Sequence, residues 1–156
     1  MDYITTPHQA ELNAADQMKR WGFLDAVATT GGSDGGIDVR SSRALAQVKW
    51  KSGVTGRPDV QNLVGARGNG TQQLIFFSAS GYSQQAINYA DEMHVLLMTY
   101  DPLGEVEGVN QAAKRFLASV SKVPATVDTP TDWKLVSILT AILIVVLSAA
   151  ILLWWP

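Results

Sequence analysis

Residues 34–49 read Asp-Gly-Gly-Ile-Asp-Val-Arg-Ser-Ser-Arg-Ala-Leu-Ala-Gln-Val-Lys, and this stretch restricts the fold more than any other. Two short apolar runs, 37–39 and 44–48, flank the pair Ser41-Ser42. That is the pattern of a β-hairpin with a short polar turn. Side chains alternate along a strand, so Gln47 and Lys49 share a face and Val48 takes the other. Asp38 stands between Ile37 and Val39, and a carboxylate inside an apolar strand needs a partner. Paired as drawn, the hairpin lets Asp38, Gln47 and Lys49 converge at one end of a sheet. A carboxylate, an amide oxygen and an ammonium at one spot can hold a hard cation and a phosphate together. The alternatives are a plain structural hydrogen bond for Asp38 and a surface position on an edge strand for Lys49.

Composition removes several other chemistries. With no cysteine there is no disulfide framework and no Cys-based zinc site, which fits a reducing compartment. His8 and His94 are far apart and lack the HExxH spacing. The glycine-rich loop at 31–36 matches neither GxGxxG nor GxxxxGK[ST], and residues 78–81 lack the GxSxG spacing of a nucleophile elbow. Asp34 in that glycine loop reads as a turn residue rather than a ligand.

The rest of the chain alternates helical and strand patterns. Thr6-Pro7 reads as an N-cap and first helical residue. Ala10, Ala14, Met18 and Trp21 then form a buried stripe, and Gly22 is the stop. A first strand is expected over 23–30. Pro58-Asp59 opens a second helix running to about residue 67, with Val60, Leu63 and Val64 inward. Residues 73–78 and 95–99 read as buried strands, and 83–92 as a helix between them. The sum is a mixed α/β sandwich over residues 1–104. An amphipathic helix is expected over 105–122, with Val109, Ala112, Ala113, Phe116, Leu117 and Val120 on one side. It either packs on the domain or lies on anionic lipid, and packing is the preferred reading.

Residues 123–133 hold two prolines, three threonines and two aspartates, the composition of a linker. Residues 134–156 follow as an anchor. Within them 135–155 carry no charge, enough at ~1.5 Å per residue to cross a hydrocarbon core of roughly 30 Å. Trp133 and the pair Trp154-Trp155 bracket the run as interfacial anchors. The nearby cations, Lys114, Arg115, Lys122 and Lys134, all precede it. The positive-inside rule therefore predicts a single-pass protein with its N-terminal domain in the cytoplasm. The start of the chain lacks the basic and apolar regions of a signal peptide.

The hairpin resembles the PD-(D/E)xK nuclease superfamily, and within it the Mrr-type restriction endonuclease domains. The matching text is Gly-Gly-Ser-Asp-Gly-Gly-Ile-Asp-Val at 31–39 and Ala-Gln-Val-Lys at 46–49. It continues with Asp-Val-Gln-Asn-Leu-Val-Gly-Ala at 59–66 and Phe-Phe-Ser-Ala-Ser-Gly-Tyr-Ser at 76–83. The resemblance implies a restriction-endonuclease-like mixed sheet between helices, and a Mg²⁺- or Mn²⁺-dependent DNA endonuclease. It implies Asp38, Gln47 and Glu11 as metal ligands, Glu11 being the glutamate that such families carry on the first helix. A solvated helix glutamate is the other reading of Glu11. Lys49 would face the scissile phosphate and position the attacking water. Lys51, Arg57 and Gln61 are candidate DNA contacts.

Gln47 stands where many members of the superfamily have Glu or Asp, and Mrr-like members commonly have Gln. Cutting both strands makes a homodimer attractive, and resemblance plus anchor suggest defence against foreign DNA. Charge argues the other way. Residues 1–107 carry eight Lys and Arg against twelve Asp and Glu, whereas 108–156 carry four against two. A DNA-binding domain is usually basic. A local strip of Arg40, Arg43, Lys49, Lys51, Arg57 and Arg67 can offset this. A catalytically inactive module that binds nucleic acid or a protein at the membrane is the alternative, and a structural membrane adaptor is the third reading.

Overall fold

The computed structural model describes residues 3–29, 36–50 and 53–121. The chain begins with α1 (Pro7–Arg20), capped as its sequence demands. The Thr6 hydroxyl accepts from Gln9 N, and the Gln9 side chain accepts from Thr6 N, two otherwise orphaned donors satisfied together. Gly22 follows the helix at φ +93°, a conformation that glycine adopts without strain. Then come β1 (Val27–Ala28), β2 (Val39–Arg40), β3 (Ala44–Lys49), α2 (Arg57–Arg67), β4 (Gln73–Ser78), α3 (Gln84–Glu92), β5 (Leu96–Tyr100), β6 (Val106–Gly108) and α4 (Gln111–Val120).

The six strands form one sheet in sequential order. β1, β2 and β3 are an antiparallel meander; β3, β4 and β5 run parallel; β6 returns antiparallel to β5. Two successive right-handed crossovers in one direction place their helices on one face. Accordingly α2 and α3 pack together over Leu45, Leu74, Phe76 and Leu97. The opposite face carries α1 and α4 over Val39, Ala46, Ile75, Phe77 and Met98. Strand alternation thus divides the apolar residues into two layers, as an α/β sandwich requires.

Three expectations change. The strand expected over 23–30 shortens to Val27–Ala28. Phe23 N bonds to Met18 O at 3.0 Å and Ala26 N to Phe23 O at 2.9 Å. These turns drive Phe23 and Ala26 into the core. The helix expected over 105–122 begins only at Gln111, because Val106–Gly108 pairs with β5. The domain therefore extends past residue 104, and α4 packs on it through Ala112, Ala113, Phe116 and Leu117. Lastly, regular strand begins at Val39 rather than Ile37. Ile37 belongs to the α2–α3 layer and Val39 to the α1–α4 layer. The break in alternation leaves Asp38 at the boundary between layers. Among the described residues no helix is long and apolar enough to cross a membrane. The linker 123–133, the apolar run 135–155, Asp34 and Lys51 lie outside the described residues.

Candidate active site

The β2–β3 hairpin is held from below by one carboxylate. Asp25 accepts from the Ser41 hydroxyl at 2.6 Å and from Ser42 N at 2.8 Å. Those two donors hold its pKa well below the ordinary carboxylate range. Arg43 bonds to the Gly22 carbonyl and lies over the Phe23 ring, 5.3 Å from its centroid. The turn is therefore tied to the end of α1, and the strand positions above it are set.

β2 and β3 pair Val39 with Ala46, and Asp38 N donates to Ala46 O at 2.9 Å. Asp38 thus lies just before β2, beside the strand that carries Gln47. The half-buried Asp38 carboxylate accepts from Val48 N at 2.7 Å. Burial pushes its pKa up; the Val48 N–H opposes this, and the nearby Glu11 charge adds to the rise. Glu11 is on α1, where His8 Nδ1 lies 3.2 Å from its Oε2. The Glu11 charge makes ionising Asp38 costlier, and a cation bound beside Asp38 would offset that cost.

Gln47 carries the clearest metal-donor chemistry of the set. Its Oε1 is buried and has no hydrogen-bond partner among the described residues, an arrangement that costs about 1–3 kcal/mol. A hard cation accepts such an amide oxygen readily, so Asp38, Glu11 and Gln47 fit Mg²⁺ as a donor set. Only two of the three are ionisable. Among the described residues no cluster of three or more His, Cys, Asp or Glu exists. Gly36, at φ +84°, makes room for the amide: a Cβ there would stand 3.0 Å from Gln47 Nε2.

Lys49 shares the Gln47 face of β3 but is engaged elsewhere. Its Nζ lies 3.0 Å from Asp59 Oδ2, both groups half-buried. The same Asp59 oxygen accepts from Gly56 N at 2.9 Å and so starts α2. The Asp59 contact to Lys49 was not anticipated from the sequence. Its one signal was an acidic residue just after Gly-Arg-Pro at a helix start, which announces a cap but not a lysine partner. The loop before α2 is pinned to the loop after β4: Thr55 N bonds to Gly81 O and Ser83 N to Thr55 O, while the Thr55 and Ser78 hydroxyls meet at 2.8 Å. α2 is thereby fixed at the ends of the parallel strands, where Lys49 emerges.

Of the candidate DNA contacts, Gln61 is exposed on α2 and lines a cleft that Gln47 also lines. Arg57 is exposed and stacks its guanidinium 4.9 Å from the Tyr89 ring centroid. The structure therefore places Asp38 within the field of Glu11 and on Val48 N, sets Gln47 and Lys49 on one face of β3, and turns Lys49 to Asp59.

No curated protein and no solved structure matches the chain. A family model, Mrr_cat, described as a restriction endonuclease, matches residues 4–106. That span runs from just before α1 into β6 and contains every candidate site residue, so the chain belongs to the Mrr-type restriction endonuclease family.

Proposed function

We propose that this protein is a divalent-metal-dependent DNA endonuclease, tethered to a membrane by residues 135–155. The family supports nuclease chemistry on DNA. The observations that carry the metal are a Gln47 Oε1 with no partner among the described residues and a half-buried Asp38 whose pKa is raised by burial and by the Glu11 charge. Asp38 and Glu11 supply the charge that holds Mg²⁺, and Gln47 a neutral donor. When bound, Mg²⁺ supplies Lewis acidity and a water of lowered pKa. Lys49 leaves Asp59 to donate to the non-bridging oxygens of the scissile phosphate, where negative charge grows. Asp59 is the resting partner that keeps the ammonium near the site. The tether would keep the enzyme where foreign DNA enters, which suits a defence role, and a homodimer would deliver both strand cuts.

A second reading, a module that binds without cutting, is favoured by the Lys49–Asp59 contact and by the neutral Gln47. One assay separates the two. The full chain in detergent, with supercoiled plasmid and Mg²⁺ or Mn²⁺, should nick and linearise DNA. Asp38→Asn should abolish cutting, and Lys49→Met should lower its rate by ~10²–10³-fold. DNA retention with no cutting in either metal would favour the binding module.

A further inference from the structure

We propose that the cleft between β3 and α2 receives a nucleobase of the DNA strand, its edge read by Gln61 and Asn62. This rests on the nuclease reading and names what that site takes beside the phosphate. The cleft is lined by Gly36, Gln47, Gln61, Asn62, Gly65 and Ala66. Its chemistry is three primary amides over small residues. Among the described residues no lysine or arginine lines it, so a phosphate gains no counter-charge from them, and three amides do not suit a hydrocarbon ligand. A planar group with both donors and acceptors on its edge suits them, as Asn and Gln amides pair with the adenine N6/N7 edge.

Gly65 carries the second observation. It sits in the last turn of α2, where alanine would still be the better helix former. Among the described residues nothing asks for it: its φ is not in the left-handed region, and a Cβ there would meet none of their atoms within 4 Å. What it does is leave the helix backbone bare along the cleft, with only a methyl group at Ala66. A flat ring can lie against such a floor, and any larger side chain would occupy its place. Gln47 links the two halves of the site. Its residue lines the cleft, while its unpaired Oε1 belongs to the proposed metal set. A base in the cleft would therefore adjoin the phosphate that Lys49 reaches.

Gly65→Leu tests this cleanly, because leucine is a strong helix former and has open space to enter. The full chain in detergent is titrated with fluorescent duplex DNA in Ca²⁺ and followed by anisotropy, alongside cleavage of a randomised duplex pool in Mg²⁺. Gly65→Leu should melt at or above the wild-type temperature and bind DNA ~10-fold or more weakly, the worth of one base contact. The double change Gln61→Ala with Asn62→Ala should erase the preference at one base position in the randomised pool. Wild-type binding by Gly65→Leu, or an unchanged preference in the double variant, overturns the proposal and leaves hydrolysis standing. A wild-type chain that binds but never cuts removes the nuclease reading, and anisotropy alone then decides the cleft. No DNA binding by the wild type removes both.

Discussion

Asp38 holds a charge in a half-buried position with another carboxylate close by, and its stability effect has a definite sign. Its folded pKa lies above the ordinary 3.8, so the folded protein keeps this proton more tightly than the unfolded chain does. The contribution is favourable at low pH and is lost as pH rises from about 3.8 through the raised folded value. Thermal melts of wild type against Asp38→Asn should show this: the variant retains an acceptor for Val48 N, melts higher at pH 7, and lacks that part of the pH slope. Millimolar Mg²⁺ should raise the wild-type melting temperature and leave the variant unmoved. An identical Mg²⁺ response in both would remove Asp38 from the metal set. Asp59 has two jobs, and two substitutions separate them. Asp59→Ala should lose about 1 kcal/mol with the α2 cap. Asp59→Asn keeps an acceptor for Gly56 N but gives up the charge facing Lys49. It should unfold like wild type in urea, with kcat altered and KM little changed. Equal activity for Asn and Asp would make Asp59 a cap alone.

The elements are joined by a few buried polar groups that no periodicity announces. Asn110 caps α4 and is 3% exposed. Its Oδ1 accepts from Leu97 N and Ala113 N, while its Nδ2 donates to Asp91 Oδ1 and Val95 O. One amide thus ties α3, β5 and α4. Asn110→Ala should cost ~2–3 kcal/mol in urea unfolding, because it strands buried donors and acceptors. A loss of a few tenths would mean those groups find other partners. α1 was readable because its stripe, cap and stop are local. The stretch 105–110 was not. Val109 and Ala112 keep helical spacing across a strand end, and only pairing with β5 shows that Val106–Gly108 is extended. Gly108 marks the crossing, since a Cβ there would stand 2.9 Å from the backbone of α4.

For the whole molecule, the acidic balance of 1–107 and the basic balance of 108–156 place the excess positive charge toward the proposed anchor. Tethering predicts that the full chain stays in the membrane fraction after carbonate washing, while a chain ending at residue 122 is released. Release of both would remove the anchor. The sequence by itself determined the cap and stop of α1, the β2–β3 hairpin, the alternation of helices with buried strands and the family, because each is written in neighbouring residues or in period-two and period-3.6 spacing. It also named Asp38, Gln47 and Glu11, the residues on which the metal proposal rests. Only the tertiary structure decided what those side chains face. Val48 N on Asp38 follows from the bend before β2, while Asp59 on Lys49 and a bare Gly65 on the cleft follow from how α2 sits against the sheet. Contacts between elements distant along the chain depend on three-dimensional packing, and local spacing carries no record of it.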